Sequence, residues 1–490
     1  MGGALLPERS RWSGGSTQVG TGMVVGIIIT APSYVLAMDA NSLEQVLQSA
    51  DNVAEWFRTN GVSWQPYVFA DEHTNWIEEQ RAVREACAVV DQSYHMEIIR
   101  IEGPEAVDLL ASLGVNDFDK MRHGDPPQAL DLLVCNPDGY IIGDNILFYV
   151  GEEEFTLVGT ETINNWIRYN AETREFDARA EVLYHMFDDR DPPEFRFQIQ
   201  GPDALAVMED VVDGTLPDIS FFEMDTIEID GTETFALGHG MAAFAGLEIF
   251  GPYEQHDEVL QAILAAGREY DIRQMGRKAY KTGKIGQGWF AFSLPAIYEH
   301  EDLQGYREWL GADSLEAQLS IGGSFDSRDI TDYYMTPMER AQTHLIDFDH
   351  EFVGRDALAE MVDDQQRERV TLVWESEDVI DVYASLFREG ETNKYVDMPD
   401  IANQWSTMHY DEVRKDGDVI GISKYPGYLY YERELLSISS VDTEYADPGT
   451  EVTFVWGDTS GKPSVERHEP VEIRATVAEA PYVRGGRRSM

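Results

Sequence analysis

The chain has 490 residues, 90 acidic against 37 basic, for a formal net charge of −53. Such a surface repels phosphate backbones and anionic lipid, which argues against nucleic-acid and membrane partners. With 43% hydrophobic and 11% aromatic residues the chain is too apolar to be disordered, and its length predicts about two to four domains.

Scarce Lys with abundant Asp and Glu points to a halophilic protein of a high-salt cytoplasm, where a screening length of about 3 Å mutes self-repulsion. Cys87 and Cys135 lack metal-ligand spacing, so no disulfide scaffold or zinc site is expected.

In chain order, residues 1–37 read as a leader or an over-extended start. The apolar run 23–37 is interrupted by Pro32 and falls short of the roughly 20 residues a spanning helix needs. The natural protein is expected to begin at Met38. One amphipathic helix is predicted from Ser42 to Phe57, and an irregular aromatic connection from Trp64 to Trp76.

Ile98 to Ile101 reads as a strand entering Gly103-Pro104-Glu105, with apolar helical spacing from Ala106 to Leu113 and Gly114 as the stop. Phe197 to Leu205 repeats this strand-Gly-Pro-helix device, which predicts two related α+β lobes. Between them, Leu132 to Val134 and Ile141 to Val150 alternate around Pro137-Asp138-Gly139 as a hairpin, and Glu152 to Val158 adds a strand.

Gly246 to Phe250 is a short strand, followed by a helix bearing Val259, Leu260, Ile263 and Leu264. Next comes a basic stretch. Arg273, Arg277, Lys278, Lys281 and Lys284 surround Tyr280, a field expected to lower the phenol from its ordinary value of about 10 toward a range useful for proton transfer.

Residues 321–346 predict a loop crossing between lobes. After Asp363 come short strands without a long helix, read as a C-terminal antiparallel barrel or sandwich. The expected boundaries are 38–345 for the lobes, 346–365 for a connector, 366–482 for the barrel and 483–490 for a tail.

Several separated segments resemble the folate-dependent aminomethyltransferase superfamily, to which the T protein of glycine cleavage belongs. They are Asp91 to Met96, Gly139 to Asp144, Gln200-Gly201-Pro202, Gly246 to Ile249 and Phe352 to Leu358. Phe195 to Pro202, His239-Gly240-Met241, Arg277 to Tyr280, Gly288-Trp289, Ser293 to Tyr298 and Ile321 to Phe325 are most similar to the tetrahydrofolate-dependent aryl O-demethylases.

The resemblance implies a three-part cloverleaf: two α+β lobes and a C-terminal antiparallel β-barrel, with tetrahydrofolate in the middle. It implies Tyr280 as the catalytic tyrosine, His95 at the substrate, and Gln198, Glu248 and Trp289 around the folate. Thr160 stands where those demethylases carry an active-site arginine, so it is the candidate substrate contact that departs from the pattern.

The chemistry fits those residue types. Expelling an alkoxide or phenolate from a methyl ether needs a proton donor, and general acid catalysis is worth about 10²–10⁴-fold. Glu248 can accept hydrogen bonds from the pterin's N–H groups bidentately, and Trp289 can stack on a ring. The basic cluster is expected to receive the folate's glutamate carboxylates. The implied partner is a small-molecule methyl donor. An aminomethyltransferase acting with a lipoyl carrier protein is the alternative. A non-catalytic folate binder is a further one, although its Lys-Gly-Cys-Tyr-x-Gly-Gln-Glu string does not occur.

Overall fold

The computed structural model describes residues 40–60, 70–151, 154–240, 244, 246–290, 292–399 and 407–483. The leader at 1–37, the segment Trp64 to Tyr67, Met241 and the tail beyond Val483 lie outside them.

Two sheets face each other. In the first, Gln128–Cys135, Ile141–Gly151, Glu154–Gly159, Glu97–Glu102 and Arg179–Tyr184 are antiparallel neighbours in that order. Leu109, Leu110 and Leu113 of the helix Ala106–Leu113, with Ile163, Trp166 and Ile167 of the helix Glu161–Thr173, pack on Ile99, Ile101, Leu132 and Leu157.

In the second sheet the order is Arg273–Gln274, Ala88–Asp91, Glu194–Gln200, Gly246–Pro252, Thr232–Gly238 and Met224–Ile229. Phe195, Phe197 and Ile199 alternate toward the helices Ala204–Val211 and His256–Ala266. The opposite face meets the first sheet, where Phe148 and Phe250 pack with ring centroids 4.9 Å apart.

Both strand-Gly-Pro-helix devices share one backbone. Gly103 and Gly201 adopt φ of +128° and +127°, and an added Cβ would lie 2.4 Å from the Asp177 carbonyl oxygen and 2.6 Å from that of Ala86. Only glycine tolerates that conformation and approach, so the two lobes repeat the same turn.

The predicted helix from Ser42 to Phe57 is instead two helices, Leu43–Ser49 and Val53–Thr59. The Ser42 and Asn52 side chains each accept a backbone N–H three residues on. A second capping residue in mid-segment ends one helix and restarts another.

Downstream, Arg367–Trp374, Glu434–Asp442, Asp418–Leu429, Asp411–Lys415, Glu451–Trp456 and Val471–Ala478 close a six-stranded antiparallel barrel around Trp374, Phe454 and Trp456. The expectation that no long helix interrupts these strands is corrected. Ser376–Ser385 is helical, its first turn bonded by the Glu375 side chain and its Val379 and Val382 buried in the barrel cluster.

Residues 346–365 contain the helix Arg355–Asp363, whose Leu358 packs with Val115, Leu133, Cys135 and Ile141 of the first lobe. Both cysteines are free and buried. Among the described residues no helix is long and apolar enough to cross a membrane.

Candidate active site

The site grows from the alternation in Glu194–Gln200. Its odd-numbered residues fill the helix-covered core, so Arg196, Gln198 and Gln200 point to the other face, toward the first lobe. Gln198 lies between Val90 and Glu248 in register. Arg196, Gln198, Gln200 and Glu248 are all buried, Arg196 against Phe148 of the facing sheet and Gln200 against Met275.

Buried charge must be paired, and here it is. Arg196 Nη1 donates to Glu248 Oε1 at 2.9 Å, while its Nε and Nη2 donate to Glu194 at 2.9 and 2.6 Å. The guanidinium sits 4.6 Å from the Phe148 ring centroid and 4.2 Å from that of Phe250, which ties the pair to the seam between lobes. His239 Nδ1 reaches the other Glu248 oxygen at 3.3 Å, and Gln198 Nε2 donates to the His239 carbonyl at 2.5 Å. Burial alone would raise the Glu248 carboxyl, but the His239 hydrogen bond and the Arg196 charge outweigh it and hold the carboxyl below its ordinary range.

The basic stretch forms the helix Arg277–Gly286, preceded by Arg273–Gln274, which pairs with Ala88–Asp91. Tyr280 packs in a buried cluster with Val83, Ala88, Val90 and Met275, and Trp289 packs against that cluster. The His95 ring meets the Tyr280 ring edge-on, centroids 5.4 Å apart at 89°. Burial first, then Lys284 and Lys281, push the His95 imidazole down to about 3, so the ring is neutral. Glu248 acts electrostatically on both rings. Tyr280, His95, Glu248 and Gln198 therefore meet in one place, with Trp289 at its edge.

One expectation is overturned. Burial pushes the Tyr280 phenol up, and Glu248 adds to the rise. The cations do not lower it, because several are committed elsewhere: Arg277 Nε to Asp71 at 2.7 Å, Lys278 Nζ to Glu72 at 2.7 Å and Arg273 to Asp271 at 2.7 Å. Desolvation of a phenolate outweighs what remains.

Thr160 follows the strand Glu154–Gly159, whose Gly159 pairs with Glu97, two residues beyond His95. Its N–H donates to Asn145 Oδ1 at 2.8 Å and its hydroxyl lies 3.1 Å from that of Thr162. It borders a half-buried group, where His185 Nε2 lies 2.9 Å from Glu161 and 3.7 Å from the buried Glu97. That set has metal-ligand composition, yet the Phe187 backbone N–H donates to His185 Nδ1 at 3.2 Å. The proton therefore sits on Nε2, aimed at Glu161, which leaves that nitrogen no lone pair for a cation.

Sequence reasoning gave no role to Arg196 and His239, or to Arg340, which donates to both Asp144 oxygens at 2.9 and 2.8 Å and to the Phe290 carbonyl at 2.6 Å beside Trp289. For Arg196 a signal existed: a charged residue on the polar side of an alternating strand. For Arg340 none did. A surface cavity of about 400 Å³ lined by Trp166, Arg174, Phe352 and Arg355 contains none of these groups. The catalytic candidates instead lie in the packed seam.

Comparison with known proteins agrees with this architecture. Residues 47–296 match the GCVT N-terminal domain family. The chain is 36% identical over 450 residues to a syringate O-demethylase of Sphingobium sp., covering 90% of this chain and 96% of that one. It is 27% identical to a sesamin methylene transferase of Sinomonas sp., covering 79% and 83%. An aminomethyltransferase T structure from Bartonella henselae superposes with a TM-score of 0.56 at 18% identity, over 84% of this chain and 91% of that one, and shares the fold. With a two-lobed core, a closed barrel and these matches, the chain belongs to the GCVT family of aminomethyltransferase-like one-carbon transfer enzymes.

Proposed function

We propose that this enzyme removes a methyl group from an O-methyl, methoxyaryl donor and passes it to tetrahydrofolate. The observation that carries the reading is the convergence of a buried phenol, a neutral imidazole and an ionised carboxylate at one seam, in a chain similar to a syringate O-demethylase.

The residues fit the folate. Gln198 Oε1 is buried without a hydrogen-bond partner among the described residues, next to an ionised Glu248, and a reduced pterin presents amino and ring N–H donors that such acceptors take up. Gln198, Glu248 and Trp289 would hold it. When bound it would supply the nitrogen that takes the methyl carbon and gives up its own proton, which restores the neutral Tyr280 phenol.

Tyr280 supports this chemistry differently from what the charge cluster promised. A phenol whose proton is held firmly stays neutral at the resting site and gives that proton only as the ether oxygen gains charge. As the methyl–oxygen bond breaks, its electron pair goes to oxygen and Tyr280 Oη delivers the proton there. His95, neutral and edge-on to Tyr280, orients the donor oxygen without adding charge. Thr160, in place of an arginine, leaves the carboxylate of an aryl acid without that partner.

The test incubates the protein with tetrahydrofolate and a panel of methoxylated aromatics and measures 5-methyltetrahydrofolate. Product only with an aminomethyl-lipoyl carrier protein would select the aminomethyltransferase reading instead.

A further inference from the structure

The surface cavity of about 400 Å³ lies between the helix Glu161–Thr173 and the start of the helix Arg355–Asp363. Its volume falls within the range of small-molecule pockets, about 300–1,000 Å³. Trp166, Leu303 and Phe352 give it apolar wall. Arg174 gives it charge. Nη1 of Arg174 donates to Ser112 Oγ at 3.1 Å, and the other side-chain nitrogens have no hydrogen-bond or ion-pair partner among the described residues. Burial lowers the guanidinium from its ordinary value, and the group that offsets this is Tyr169, not a carboxylate. In a chain with 90 acidic against 37 basic residues, a half-buried arginine is expected to meet a carboxylate, and this one does not.

Further donors gather at the same cavity. The backbone N–H groups of Asp356 and Ala357, both cavity residues, make no hydrogen bond among the described residues, because the helix starts after Gly354, at φ +88°, without a side-chain cap. A helix start of this kind attracts anions. Trp166 is only 4% exposed, and its Nε1–H is buried without a hydrogen-bond partner among the described residues. An unmet buried donor is costly until a ligand accepts from it. The acids at the cavity mouth turn outward, with the Asp302 and Asp356 side chains 77% and 96% exposed. Their charge admits a monoanion more readily than a phosphate dianion.

We propose that this cavity binds a small aromatic monocarboxylate, separately from the seam that holds Tyr280. Arg174, the Asp356 and Ala357 N–H groups and the Trp166 indole take the carboxylate, while Phe352 and Leu303 hold the ring.

Two measurements on the full chain test this. In fluorine NMR titrations the affinity for para-fluorobenzoate should fall by about tenfold or more in Arg174→Met, as expected when a charge-assisted hydrogen bond is lost, whereas para-fluorobenzyl alcohol should bind both proteins alike. Crystals soaked in para-bromobenzoate should show an anomalous bromine peak beside Phe352, with the carboxylate on Arg174. Equal para-fluorobenzoate affinity in the two proteins, or bromine only in the seam beside Tyr280, overturns the proposal and leaves the methyl-transfer reading standing. If Arg174→Met does not fold, Arg174→Gln takes its place, and the bromine peak decides independently.

Discussion

Arg196→Met isolates the electrostatic element that holds the two lobes' seam. The substitution keeps an apolar stem of similar length between Phe148 and Phe250 but removes the donor 2.9 Å from Glu248 Oε1. Glu248 is left buried with His239 alone at 3.3 Å. Breaking one side of a buried ion pair costs about 3–5 kcal/mol, most of it the stranded charge. Glu248→Gln in the same background removes that charge, so the double variant should recover roughly half of the loss. Urea unfolding of the four proteins gives the cycle.

The pH dependence has a definite sign. In the wild type Glu248 is held below its ordinary range, so its contribution is complete at neutral pH and is lost as pH falls through the depressed value. In Arg196→Met burial raises the same carboxyl, and its penalty deepens as pH rises. The gap between the two proteins should widen from about pH 5 to pH 8. A single-variant loss under about 1 kcal/mol, or a double variant equal to the sum of the singles, would refute the reasoning.

Other outcomes follow from the same geometry. Tyr280→Phe should lower the rate of 5-methyltetrahydrofolate formation by about 10²–10⁴-fold with folate binding retained; undiminished turnover would remove the phenol from the chemistry. Because His95 is already neutral above about 3, His95→Gln should change the rate without shifting the pH profile between pH 5 and 9, as stopped assays across that range can check. Burial and Glu161 push Glu97 up to about 8, so the folded state holds an extra proton and stability should fall as pH rises from the ordinary carboxylate range toward that value. Glu97→Gln should flatten that slope in thermal melts. The −53 charge predicts a higher Tm in 2 M than in 0.2 M potassium chloride; a flat response would dispose of the high-salt reading.

Local pattern determined much of this protein. Phe195 to Gln200 could alternate only as a strand with one apolar and one polar face, the two Gly-Pro turns demanded the same positive φ, and the short strands after Asp363 led to a barrel or a sandwich, of which packing chose the barrel. The residues expected at the centre, Tyr280, His95, Gln198 and Glu248, are carried by segments whose motifs are visible in one dimension. What the chain alone did not reveal is which charges neutralise one another. Arg277 and Lys278 looked like a field around Tyr280 until Asp71 and Glu72 came to meet them, and Arg340 found Asp144 from nearly two hundred residues away. A side chain's pKa and freedom depend on burial and on partners that only packing brings near. Tertiary structure therefore reversed the direction of the Tyr280 shift and set its ring against that of His95.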